Sequence, residues 1–138
     1  DEEYMKPKRP VPEGRDAWLD EIVSAYRDAA DAIPFGPMVG QDMTESDLFH
    51  LGPVVCLKFR GLKQSATNVK RATDAALSSY VATSGLGDDL LDKPQVAFAF
   101  CYIASHFGLG LIDEATASKI LDHVAEHADE LAKRTGEG

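Results

Sequence analysis

The residues best suited to chemistry lie near the carboxyl end of the chain: His123, His127 and Glu130. On one helix their spacing confines all three to a sector of about 60°. Two imidazole nitrogens and a carboxylate are ligands that zinc and related ions accept, so the pattern predicts a candidate metal site. A second interpretation treats them as boundary residues beside an apolar stripe, because Lys119 and Arg134 border the sector and would repel a cation.

A histidine, a serine and a cysteine lie together in the most apolar part of the chain. Cys101 and His106 would stand about 140° apart on a helix, so they cannot pair there as nucleophile and base. A histidine near a helix end is better explained by bonds to the last free carbonyls. The sequence contains no GxSxG, no GxxxxGK[ST] and no HExxH motif. We therefore expect no catalytic residue and no cofactor, and an enzyme is the less favoured class.

Positive charge is concentrated in one stretch. Residues 48–73 contain no acid and five of the 14 basic residues, which leaves nine basic against 23 acidic residues for the rest of the chain. Such polarity suits contact between unlike surfaces of two copies, or an anionic ligand. A solvated surface of uneven charge is the alternative interpretation. The candidate partner-binding residues of this stretch are Lys58, Arg60, Lys63, Lys70 and Arg71.

The net charge of −9 argues against non-specific binding to nucleic acid or to an anionic membrane. Contact with nucleic acid through residues 58–71 is therefore only the third hypothesis for function. Residues 34–43, PFGPMVGQDM, hold two prolines and two glycines and are predicted to form a loop. Because this loop is apolar, Phe35 and Met38 are further candidates for contact with a partner.

Two cysteines, Cys56 and Cys101, lie in apolar surroundings. A core of this size needs no disulfide, so buried free thiols are expected, with one disulfide as the alternative. The sequence shows neither a secretory signal nor a stretch long enough to span a membrane, so we expect a cytoplasmic location and no membrane partner.

The element that must organise these residues is the run PQVAFAFCYIASHFGLGLI, from Pro94 to Ile112. A helix that is apolar all round must be covered on every side or lie in lipid. Helical residues 94–107 would be about 21 Å long, against roughly 30 Å of bilayer hydrocarbon. A buried central helix is therefore predicted, with Asp92 as its N-cap and with Gly108 and Gly110 ending it.

Amphipathic spacing predicts further helices at 16–33, 63–84 and 113–133, the last with Asp113 as its N-cap. A short helix is expected to begin after Thr44 and to be interrupted by Pro53. The following residues 54–59, VVCLKF, are compatible with helix or strand. Helix is favoured because no other segment could supply a partner strand.

The sequence thus predicts one all-α domain, a single bundle of about five helices around the apolar helix 94–107. Residues 1–15 are expected to form an extended or disordered arm, 16–134 the helical domain and 135–138 a disordered tail. The leading hypothesis is an acidic interaction or regulatory module that binds another protein and also itself, as a homodimer. The alternative is a metal or small-ligand site on the last helix.

Overall fold

The computed structural model describes residues 9–32, 45–83 and 94–137. These residues form an all-α bundle and include no strand, which confirms the predicted fold class. Across these described residues there are six α-helices, one more than the expected count of about five, and a π-helical turn follows them. Their bounds are α1 Arg15–Ala32, α2 Glu45–Arg60, α3 Ala66–Thr83, α4 Pro94–Gly108, α5 Glu114–Glu126 and α6 Ala128–Ala132, with the turn at Lys133–Glu137.

The apolar helix α4 is the centre of the bundle, as predicted. Every residue from Gln95 to His106 is buried, and α4 packs against all five other helices. Its aromatic side chains make edge contacts with its neighbours, for example Phe98 with Tyr26 at 5.5 Å between ring centroids. Within the described residues no helix is both long and apolar enough to cross a membrane.

Pro53 lies inside α2, so the expected interruption at this residue is wrong. A proline removes one backbone hydrogen bond, but here the ring is buried in the bundle, where packing of the apolar face stabilises the helix. Residues 54–59 are helical, in agreement with the favoured alternative. Val55, Cys56, Leu57 and Phe59 are all buried.

Two glycines permit close helix contacts. A Cβ on Gly52 of α2 would lie 3.1 Å from the Cβ of Cys101. A Cβ on Gly108 would lie only 2.6 Å from the Cβ of Ala75 in α3. Gly110 has a φ of 75°, as expected for a residue that ends a helix, whereas Gly108 serves packing and not a left-handed turn.

The segment 9–14 that precedes α1 packs on α2. The Arg9 amide donates to the Phe59 carbonyl at 2.8 Å, and the Arg9 guanidinium lies 3.9 Å from the centre of the Phe59 ring. Val11 is half-buried against the core. This part of the predicted arm therefore contacts the bundle in a defined way.

The predicted helix 113–133 begins as expected but is divided. Asp113 caps α5, because its carboxylate accepts a hydrogen bond from the Thr116 amide at 2.8 Å. His127, with φ −115° and ψ 29°, then separates α5 from α6. The predicted caps Asp92 and Thr44 lie outside the described residues.

Candidate functional site

A buried network of charged and polar side chains joins α1, α2 and α4. Arg60 is 6% exposed and Glu21 is 9% exposed, and the two form an ion pair. Tyr102 donates its hydroxyl hydrogen bond to the same Glu21 oxygen at 2.7 Å. Arg60 also donates to the carbonyls of Arg9 at 3.2 Å and Pro10 at 2.9 Å. A buried charge is tolerated only when it is paired and hydrogen-bonded in this way.

His106 completes the network and is held in one tautomer. Its Nε2 accepts a hydrogen bond from Arg60 Nε at 2.9 Å, so this nitrogen carries no proton. Its Nδ1 lies 2.8 Å from the Tyr102 carbonyl and must donate to it. Burial lowers the pKa of His106 from 6.5 to about 3, and the charge of Arg60 acts in the same direction. The Tyr102 carbonyl lies one turn before His106 within the helix, so His106 does not bond to the last free carbonyls as the sequence predicted.

A cysteine and a histidine meet in this network. Cys56 Sγ lies 3.5 Å from His106 Nδ1, a contact between helices α2 and α4. A nucleophilic pair requires a thiolate and an imidazole that can take its proton. Here burial raises the pKa of Cys56 to about 12 while that of His106 is lowered to about 3. Both groups are thus neutral, and both imidazole nitrogens are already hydrogen-bonded, so the pair is not suited to catalysis.

Cys101 and Ser105 are also held within the core. Burial raises the pKa of the Cys101 thiol to about 12, and both cysteines are free. Ser105 donates to the Cys101 carbonyl at 2.7 Å. Both residues are fully buried between the helices.

The structure gives most of the basic stretch internal partners. Arg60 is buried against Glu21, which removes it from any partner-binding surface. Lys58 pairs with Asp28 of α1 at 3.1 Å, and Lys70 pairs with Asp74 one turn along α3 at 2.7 Å.

Lys63 and Arg71 are exposed. Of the five predicted cations, burial thus removes Arg60 from the surface, and Lys58 and Lys70 are already paired with acids. Phe35 and Met38, predicted to contact a partner from the loop, lie outside the described residues.

The histidines of the last helical segment do come together, but with a different carboxylate. The ligand atoms of His123, Glu126 and His127 all lie within 4.8 Å of one another. Glu130, which the spacing predicted, instead approaches Arg134 at 3.6 Å. The division of the helix at His127 breaks the regular spacing on which the choice of Glu130 depended. Glu126 could have been predicted as a member of this cluster, because it follows His123 by three residues and shares its helix face.

An open groove of about 420 Å³ lies between α3, α4 and α5. Its lining is dominated by small residues, with Phe107 and Leu121 as its large apolar side chains. The small lining residues are Ala75, Ser78, Ser79, Ala104, Ala117 and Ser118, and the acidic residues Asp74 and Glu114 complete the lining.

Three large apolar side chains are exposed in the region of the groove. Phe107, which lines it, is 46% exposed, while Leu77 and Val81 on α3 are 47% and 63% exposed. Leu77 and Val81 are four residues apart and share a helix face. We call these two residues the apolar ridge. The spacing of residues 63–84 predicted this helix but not which of its apolar side chains stay exposed, because exposure depends on the packing of distant helices.

Comparison of the chain with protein-family models, with curated proteins and with solved structures finds no match.

Proposed function

We propose that the protein is a protein–protein interaction module, and that a second copy of the chain is its partner. The observation that carries this proposal is the position of the apolar ridge beside the groove on one helix. Exposed large apolar residues that cluster beside a concave apolar surface are typical of interaction sites, whereas scattered ones are normal.

The ridge and the groove are arranged so that two copies could use both at once. Ser78, which lines the groove, stands about 60° from Val81 and about 100° from Leu77 around α3. A two-fold axis passing near Ser78 would place the ridge of each copy in the groove of the other. This is the isologous, self-complementary contact on which symmetric homodimers are built.

The small groove residues favour a helix as the group that enters. Alanine and serine side chains let a second helix approach closely, and Phe107 offers an aromatic surface to an entering leucine. Such a contact is of the kind in which a helix face lies in a hydrophobic groove.

Charge attraction contributes little to this proposal. Lys58, Arg60 and Lys70 have acidic partners within the same chain. The net charge of −9 makes two copies repel each other at long range. Apolar burial must therefore supply the association energy.

The buried network supports an interaction role over catalysis. Cys56 and His106 are both neutral and enclosed. This cysteine–histidine pair is thus unsuited to nucleophilic chemistry. Within the basic stretch, Lys63 and Arg71 are the exposed cations without an acidic partner among the described residues. Two unpaired cations offer few phosphate contacts, so nucleic-acid binding is the less favoured hypothesis.

Sedimentation velocity over a range of protein concentrations tests the proposal. Leu77→Asp combined with Val81→Asp should abolish a concentration-dependent dimer, since charge placed in an apolar contact is desolvated without a partner. Ser24→Asp on α1 is the control, because Ser24 is exposed and does not line the groove. Wild-type protein that stays monomeric at high concentration, or a ridge variant that dimerises as the wild type does, would contradict the proposal.

A further inference from the structure

His123 is a buried histidine without a hydrogen-bond partner. It is 7% exposed, and neither ring nitrogen hydrogen-bonds to the part of the chain that the structure describes. Asp16 Oδ1 of α1 lies 3.3 Å from His123 Nε2 but without the alignment of a hydrogen bond. A buried polar group left unpaired costs free energy, so its nitrogens point to a ligand.

His127 is oriented as a metal ligand would be. Its Nδ1 lies 3.0 Å from the His123 carbonyl oxygen, and since a carbonyl only accepts, Nδ1 carries the proton. The lone pair of Nε2 is therefore available. Histidines that bind metals characteristically donate their second ring nitrogen to a backbone carbonyl or carboxylate, which fixes the tautomer.

Glu126 brings a carboxylate to the same place. The ligand atoms of His123, Glu126 and His127 lie within 4.8 Å of one another, and the two rings are 4.2 Å apart between centroids. Ligands around a tetrahedral zinc ion are roughly 3.3 Å apart, given bonds of about 2.0 to 2.1 Å. Small rotamer changes would close the cluster to that size.

Asp16 can supply a fourth ligand from another helix. Its side chain is 98% exposed and free to turn, yet it already lies beside His123. Of the two cations that border the histidines, Lys119 and Arg134, the second is paired with Asp20 at 2.7 Å and with Glu130 at 3.6 Å. The cluster thus has two imidazoles and two carboxylates around it.

We propose that His123, Glu126 and His127, completed by Asp16, form a site for one zinc ion. Two nitrogen and two oxygen donors suit a zinc ion of tetrahedral geometry. The bound ion would tie the first turn of α1 to the end of α5. The site is separate from the groove, so it adds a second property to the interaction module.

Titration of untagged, metal-free protein with zinc, in competition with a chromophoric chelator, tests the site. We expect one equivalent to bind. Glu126→Gln and His127→Gln should each weaken binding about tenfold or more, and Asp16→Asn should weaken it less, because the exposed aspartate is the outermost ligand. Glu130→Gln is the matched control and should bind as the wild type does.

The visible spectrum of the cobalt-loaded protein gives a second readout that does not depend on affinity. Tetrahedral coordination should produce intense absorption bands, which Glu126→Gln and His127→Gln should abolish while Glu130→Gln keeps them. His123 is left unchanged, because replacing a buried side chain would also change the stability of the protein. Absence of zinc binding, or equal affinity in the wild type and in the Glu126 and His127 variants, would overturn the proposal. Greater weakening by Glu130→Gln than by Glu126→Gln would do the same.

Discussion

Arg60 links four parts of the molecule through one guanidinium group. It pairs with Glu21 of α1, donates to His106 of α4, and donates to the carbonyls of Arg9 and Pro10. Arginine suits this place because its planar fork offers several donors in fixed directions. A lysine could not make the same set of bonds.

Removing one member of the buried ion pair should destabilise the protein strongly. Arg60→Met leaves the Glu21 carboxylate buried and without its charged partner, so unfolding free energy should fall by about 3–5 kcal/mol. The half-exposed pair of Lys58 with Asp28 is the control, and Lys58→Met should cost less than about 1 kcal/mol.

Urea unfolding followed by circular dichroism measures both costs. The double variant Glu21→Gln with Arg60→Met should be less destabilised than the sum of the two single variants, because no buried charge is left behind. Additive losses would show that the two side chains act independently.

His106 should make stability depend on pH. Its pKa of about 3 in the folded state lies below the 6.5 of the unfolded chain, so unfolding takes up a proton between these values. The stability that neutral His106 provides is fully present above pH 6.5 and is lost as pH falls toward 3. The slope contributed is up to about 1.4 kcal/mol per pH unit.

Comparison with His106→Gln isolates this contribution from those of other groups. The difference in unfolding free energy between wild type and variant should shrink as pH falls from 7 to 4. Urea unfolding at several pH values measures it, and parallel curves for the two proteins would contradict the assignment of a neutral buried His106.

At the scale of helices, the sequence predicted the elements well because their signals are local. The apolar run of α4 and the cap Asp113 are both found where the pattern placed them. Pro53 was misjudged, since burial of its helix overrides the local cost of proline. The division at His127 had no local signal, because neither proline nor glycine occurs between residues 111 and 135.

The candidate sites were harder to predict because their parts are distant in sequence. Arg60 is 39 residues from Glu21 and 46 from His106, and no spacing rule relates them. Asp16 and His123 likewise meet only through packing of α1 on α5. The spacing of His123 and His127 is local, so the sequence predicted that pair. The choice between Glu126 and Glu130 depended on the division of the helix at His127.

The contact of α3 with α4 should be intolerant of one added methyl group. In Gly108→Ala the new Cβ would meet the Ala75 Cβ at 2.6 Å and the Arg71 carbonyl oxygen at 2.8 Å, so the helices must separate. We expect a loss of about 1–3 kcal/mol.

Adding Ala75→Gly to Gly108→Ala should recover part of that loss, because the Arg71 oxygen would still be in the way. Urea midpoints of the single and double variants measure the effect. A Gly108→Ala protein as stable as the wild type would show that α3 and α4 do not pack this closely.

At the scale of the whole molecule, association must overcome a net charge of −9 on each copy. Salt screens that repulsion, with a Debye length of about 10 Å at 0.1 M and about 3 Å at 1 M, while apolar contacts are not weakened by it. The dissociation constant of the dimer should therefore fall as sodium chloride is raised from 0.05 to 0.5 M. Sedimentation equilibrium measures this, and weakening with salt would indicate association through ion pairs instead.

Mixing two defective variants tests the two-fold ridge-in-groove contact. Leu77→Asp with Val81→Asp removes the ridge, and Ser118→Arg fills the groove with a charged side chain. Neither variant should dimerise alone. In an equimolar mixture one intact ridge can still enter one intact groove.

Sedimentation velocity of that mixture should show heterodimers, weaker than the wild-type dimer but absent from either variant by itself. A mixture that stays monomeric, beside a wild type that dimerises, would contradict the ridge-in-groove contact.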